Sequence, residues 1–148
     1  AKRWKIEYNE IQLGPQIGKG AFGAVYKATW RNCDCVVKQL NPDNYSDNAM
    51  NEFLKEAATV QNLRNHKNVC TIFGVCNNPE YPICIVMEFV SGGSLKDLVY
   101  QQDFQLTTKL FLSFAKDIAS GMSHLHRENF LHCDLACRNL LIENSGSG

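Results

Sequence analysis

The sequence predicts an α+β fold: five strands and one helix over residues 1–90, followed by a mainly helical stretch over residues 91–148. Three observations carry this. Short runs rich in β-branched and aromatic residues, separated by turn formers, fill residues 10–40 and 70–89. A single stripe at helical spacing interrupts them between residues 48 and 63. At Ser91-Gly92-Gly93 the strand texture stops, and apolar residues recur thereafter at helical spacing.

Taken in order, Glu10 to Gly18, Ala24 to Trp30 and Asp34 to Leu40 read as an antiparallel meander, with Arg31-Asn32-Cys33-Asp34 supplying turn chemistry between the last two. From Asn48 to about Leu63, Phe53, Glu56, Val60 and Leu63 recur at steps of three, four and three, the stripe of an amphipathic helix. Two more strands follow, Cys70 to Cys76 and Ile83 to Phe89, joined across Asn77-Asn78-Pro79-Glu80. Ser94 with Asp97 three residues on has the form of a capping box opening a short helix. A longer helix is expected from Thr108 to Arg127, with Phe111, Phe114, Ile118, Met122 and Leu125 on one face.

Composition narrows the function. With 148 residues and 45% hydrophobic content the chain buries enough apolar surface to fold, which excludes disorder. Fifteen basic side chains balance fifteen acidic ones, so there is no excess of cations to grip nucleic acid or an anionic membrane. The seven cysteines are odd in number and contain no C-x-x-C pair, which argues against a disulfide framework or a zinc ribbon. Most of them lie in apolar runs, as reduced core thiols do. Neither a signal region nor a stretch of membrane-spanning length is present, and a cytoplasmic location is expected.

Gly18, Gly20 and Gly23 form G-x-G-x-x-G. The dinucleotide-binding version of this motif needs a helix after the loop. Here Ala24 to Trp30 reads as a strand, so an oxidoreductase is disfavoured even though Asp43 sits at the expected distance. A glycine flap between antiparallel strands suits close approach of backbone to phosphate, because no Cβ intervenes. Lys38 shares a strand face with Val36 and Leu40, and Glu56 interrupts the apolar stripe of its helix. Two opposite charges on inward faces are explained by one another. In His132-Cys133-Asp134-Leu135-Ala136-Cys137-Arg138-Asn139, Asp134 and Asn139 stand five apart on a loop. A carboxylate there can accept a hydroxyl proton, and an amide oxygen can bind a hard cation.

These motifs, in this order, resemble those of the eukaryotic protein kinases over about Trp4 to Ile142. The resemblance implies a five-stranded small lobe with one helix (residues 1–90) and the start of a helical large lobe through the catalytic loop (residues 91–148), with ATP and Mg2+ as cofactors and a protein substrate. It implies that Ile17, Gly18, Lys19, Gly20, Gly23 and Val25 form the phosphate-covering loop, that Lys38 meets the α and β phosphates, and that Glu56 is its helix partner. Val36 would lie above adenine and Leu141 below it, with Met87 as gatekeeper, Glu88 and Val90 as the hinge and Asp97 near the ribose. Asp134 would be the catalytic base and Asn139 a magnesium ligand.

Asp134 to Asn139 is similar to the D-L-A-A-R-N of tyrosine kinases, whereas Trp30-Arg31-Asn32 and the lead-in Trp4 to Leu13 look like the tyrosine-kinase-like group. The receiving hydroxyl is therefore Tyr or Ser/Thr. Cys133 stands where the family usually has arginine, and Val36 where it usually has alanine. No aspartate follows Asp134, so no D-F-G is present and a fragment of a longer kinase is expected. The alternative is a pseudokinase or nucleotide-binding scaffold, for which Lys38, Glu56, Asp134 and Asn139 would serve no common purpose.

Overall fold

The computed structural model describes residues 5–20, 23–41, 46, 48, 50, 51, 55, 58 and 62–144. The chain divides into two compact units, Ala1–Leu63 with Cys70–Phe89, and Arg64–Val69 with Val90–Gly148. The first unit holds a five-stranded antiparallel sheet in the order β1-β2-β3-β5-β4, formed by β1 (Ile11–Gly20), β2 (Gly23–Trp30), β3 (Cys33–Leu40), β4 (Ile72–Cys76) and β5 (Cys84–Glu88).

All five expected strands are present, and their boundaries differ for local reasons. Arg31 and Asn32 both take positive φ, 49° and 62°, so they alone form a tight primed turn and Cys33 already pairs with Trp30. β4 begins at Ile72 rather than Cys70, because the Thr71 N–H goes to the Glu88 carboxylate at 2.6 Å instead of to a ladder carbonyl. The helix expected from Asn48 falls largely outside the described residues. Those described within it, Asn48, Met50, Asn51, Lys55 and Ala58, are helical.

Each face of the sheet carries its own apolar cluster, as period-2 alternation requires. One face buries Ile6, Ile11, Ala28, Cys35, Val37, Cys76, Cys84 and Val86, with Tyr8, Trp30 and Phe73 packed against them. The other gathers Leu40, Val75 and Ile85, with Ile72, Ile83 and Met87 alongside. The lead-in segment closes the first face. Lys5 bridges to Val75, the Ile6 N–H donates to the Val75 carbonyl at 3.0 Å, and Glu10 accepts the indole N–H of Trp30, also at 3.0 Å. Cys35, Cys76 and Cys84 are core thiols as expected, whereas Cys33, Cys133 and Cys137 are exposed.

In the second unit, α1 (Leu95–Val99) is opened by Ser94, whose Oγ accepts the Asp97 N–H at 3.1 Å and donates to Asp97 Oδ2 at 2.6 Å. α2 (Thr108–Arg127) is capped by Thr107, whose Oγ1 accepts the Leu110 N–H. It ends in a Schellman turn: Asn129 takes φ +60°, its N–H donates to the His126 carbonyl, and the Phe130 N–H reaches the Leu125 carbonyl. Of the expected apolar face, Leu125 is buried, Phe114, Ile118 and Met122 are partly buried, and Phe111 is 55% exposed. Gly121 packs against Arg64–Val69, where an added Cβ would stand 2.6 Å from the Asn68 carbonyl oxygen. That segment is also held by His66, which stacks on His124 with centroids 4.7 Å apart, and by a His124 Nε2 bond to the Arg64 carbonyl.

Candidate functional site

In the first unit the glycine motif sits where β1 turns into β2, with Gly20 opposite Gly23 and Gly18 opposite Val25. The glycines have different reasons to be there. Gly23 takes φ +149°, and a Cβ on it would lie 1.8 Å from the Gln39 carbonyl oxygen, so packing on β3 forbids any side chain. A Cβ at Gly18 would come no closer than 3.6 Å, to Val25, which is ordinary contact. The fold therefore does not explain Gly18. Ile17 and Lys19 beside it are exposed.

Lys38 lies on the middle strand of the sheet. It is opposite Val25 on β2 and Ile85 on β5, so these three side chains form one row on one face. The adjacent row contains Val36 opposite Met87, and Leu40 follows on β3. The structure thus brings Val25, Val36, Lys38 and Met87 onto a common surface, as alternation predicts. Glu56, the expected partner of Lys38, lies outside the described residues. Glu88 is tied twice to Thr71, just before β4, through its own N–H to the Thr71 carbonyl at 2.9 Å and through its carboxylate.

In the second unit Gly92 to Leu95 pairs with Leu140 to Ile142 as a short antiparallel ribbon. The Gly92 N–H donates to the Ile142 carbonyl at 2.8 Å, the Ile142 N–H to the Gly93 carbonyl at 2.9 Å, and the Leu95 N–H to the Leu140 carbonyl at 2.7 Å. A Cβ at Gly92 would lie 2.1 Å from the Ile142 carbonyl oxygen, so the ribbon requires glycine there. Ser94 bridges to Leu141 and caps Asp97, so each of the two is linked to the ribbon through it. Val90 lies two residues before it.

The loop before the ribbon positions Asp134. Cys133 takes φ +60°, reversing the chain, and the Asp134 N–H donates to His132 Nδ1 at 3.2 Å. A 3-10 turn at Cys137–Asn139 then returns two side chains to the carboxylate. Arg138 donates to Oδ1 at 2.5 Å, and Asn139 Nδ2 donates to Oδ2 at 2.9 Å and to the Asp134 carbonyl at 2.8 Å. The Asn139 hydrogen bond, followed by that of Arg138, holds the Asp134 carboxyl below its ordinary range. Each carboxylate oxygen keeps a second lone-pair site for a donor. With both Asn139 amide hydrogens directed at Asp134, its Oδ1 is the atom left to accept or coordinate, which fits a hard cation. Sequence reasoning paired Asp134 with Asn139 and missed the contact with Arg138. The spacing of four between an acid and a base was the available signal.

A five-stranded antiparallel sheet with a glycine turn, a central-strand lysine and an Asp–Asn loop after a long helix defines the protein-kinase class of fold. The family described as protein tyrosine and serine/threonine kinase matches residues 11–147, and the chain belongs to it. It is 34% identical to serine/threonine-protein kinase STY46 of Arabidopsis thaliana, over 96% of this chain and 24% of that protein. It is 38% identical to tyrosine-protein kinase abl-1 of Caenorhabditis elegans, over 94% of this chain and 11% of that protein. To the probable serine/threonine-protein kinase drkA of Dictyostelium discoideum it is 37% identical, over 95% and 22%. The chain spans between 8% and 27% of the length of such curated relatives. No helix among the described residues is long and apolar enough to cross a membrane.

Proposed function

We propose that this chain is the nucleotide-binding and base-bearing part of a protein kinase that transfers the γ-phosphoryl of ATP to a Tyr or Ser/Thr hydroxyl of a protein. The observation that carries this reading is the Asp134 carboxylate, fixed by Arg138 and Asn139 while Asn139 Oδ1 is turned away from it. Residues 1–90 would be the small lobe and residues 91–148 the start of the large lobe. Seven free thiols, three of them exposed, support a reducing, cytoplasmic setting.

From the first unit, the loop Ile17-Gly18-Lys19-Gly20 with Gly23 and Val25 lays backbone over the phosphates, which gives Gly18 the purpose that packing does not. Lys38 places its ammonium on the α and β phosphates, held there by Glu56. Val36 and Met87 give apolar surface to adenine, and the Glu88 carbonyl accepts from its edge. In the second unit, by the family's pattern, the Val90 N–H and Leu141 would serve adenine, and Asp97 would accept from the ribose through the oxygen that Ser94 leaves open.

Asp134 orients the substrate hydroxyl by accepting its hydrogen bond. Because its basicity is lowered, it takes the proton late, as the oxygen bonds to phosphorus. Asn139 Oδ1 would hold magnesium, which when bound neutralises charge on the phosphate oxygens. The test is phosphoryl transfer by the complete kinase. Asp134→Asn is expected to lower turnover by about 10²–10⁴-fold with nucleotide binding retained, whereas Lys38→Met lowers both. Comparable turnover in Asp134→Asn overturns the assignment.

A further inference from the structure

Three thiols lie on the sheet face covered by the lead-in segment, all of them fully buried: Cys35, Cys76 and Cys84. Two of these face each other. Cys76, the last residue of β4, is the in-register partner of Cys84, the first residue of β5. Directly opposed residues of an antiparallel pair have Cα atoms roughly 4.5–5.5 Å apart, inside the roughly 4.4–6.8 Å span of a disulfide. Cys35 is not a competitor, since the β3 residue opposite Cys84 is Gln39, four positions away.

The lead-in segment forms a lid over the pair. Tyr8 lies over it: its hydroxyl accepts from Gln39 Nε2 at 3.1 Å, and its ring stacks on Tyr81 of the β4–β5 connection with centroids 4.4 Å apart. The Ile6 N–H to the Val75 carbonyl pins the same segment one residue from Cys76. Burial pushes the Cys84 thiol up to about 12, so under the lid little thiolate exists to react. Yet β4 is an edge strand of the sheet and the pair sits at its end, the part of a strand that opens locally at least cost.

We propose that Cys76 and Cys84 are a latent oxidation site gated by the Ile6–Tyr8 segment, forming a reversible cross-strand disulfide with hydrogen peroxide when that segment lifts. In the first step one thiolate attacks peroxide, giving a sulfenic acid and hydroxide, which takes up a proton to become water. In the second the other thiol displaces a second water and the S–S bond forms, so two thiols and one peroxide give one disulfide and two waters. Closing the directly opposed Cβ atoms to bonding range strains the bridge, which makes it reducible by an ordinary thiol pool.

The full chain is treated with hydrogen peroxide, alkylated and mapped by mass spectrometry, with Cys33, Cys133 and Cys137 as exposed references. A Cys76–Cys84 linked peptide that disappears with dithiothreitol is expected, and it should form about tenfold faster in Tyr8→Ala. Tyr8→Phe, which loses only the Gln39 bond, should fall between the two, and Cys84→Ser should abolish the link with its folded circular dichroism spectrum intact. Cross-links confined to the exposed cysteines would overturn the proposal, as would equal rates in the parent chain, Tyr8→Ala and Tyr8→Phe.

Discussion

Asp134 shows how one residue is tuned by its neighbours four and five positions on. Its carboxyl is held below the ordinary range by Asn139 first and Arg138 second, so it takes up its proton at lower pH than a free aspartate does. A depressed folded-state pKa contributes stability that is present above the unfolded value and lost as pH falls through the folded one. We therefore expect an NMR carboxyl titration of Asp134 with its midpoint below the free value, raised in Asn139→Ala and raised less in Arg138→Met. A midpoint at or above the free value in the parent chain would contradict the geometry. Asp134 and Asn139 were legible in the sequence because they belong to an ordered series of motifs. Arg138 was not singled out, since its pairing depends on the 3-10 turn at Cys137–Asn139 and no apolar period announces such a turn.

Among the elements, the β1–β2 hairpin separates two uses of glycine. Gly23→Ala forces a Cβ onto the Gln39 carbonyl from a backbone conformation that disfavours side chains, and a destabilisation of about 2–4 kcal/mol is expected. Gly18→Ala meets only an ordinary contact, so its unfolding free energy should stay within about 0.5–1 kcal/mol of the parent, the cost of a strand glycine being gained back if anything. On the proposed function, its nucleotide affinity falls all the same. Chemical denaturation combined with ATP titration of both variants separates the two, and a Gly18→Ala variant as unstable as Gly23→Ala would show that both glycines serve the fold. The strands were readable from alternation, but their ends were not: Thr71 leaves the ladder for a side chain on β5, and Arg31-Asn32 turn in two residues where four had turn chemistry.

Over the whole molecule, what the sequence hid is what comes from distant segments. Arg64–Val69 joins the second unit through His66, Asn68 and Gly121, side chains and backbone more than fifty positions apart with no shared period. The lead-in segment likewise closes one sheet face with few apolar residues, and Ile6 alone of them is 2% exposed. The α2 face was anticipated from its helical spacing. In the second unit Phe111, Leu112 and Leu131 are 55%, 60% and 72% exposed, and apolar area of this kind favours association. We expect the 148-residue chain to self-associate at micromolar concentration in sedimentation velocity and to become more monomeric in a Leu112→Glu, Leu131→Glu variant. A monodisperse parent chain would refute this.

The ribbon that ties Gly92–Leu95 to Leu140–Ile142 also makes everything between them a closed ring: α1, α2 and the Asp134 loop lie inside one hydrogen-bonded clasp. Tension entering along the chain from both sides is carried across the clasp and bypasses the ring. The clasp must unzip, bond by bond from Gly92–Ile142 inward, before any pull reaches Asp134. The loop that holds the carboxylate is thus mechanically slack while the rest of the chain is loaded. It should keep its amide protons against exchange as a block with the ribbon, opening when the clasp opens and not before.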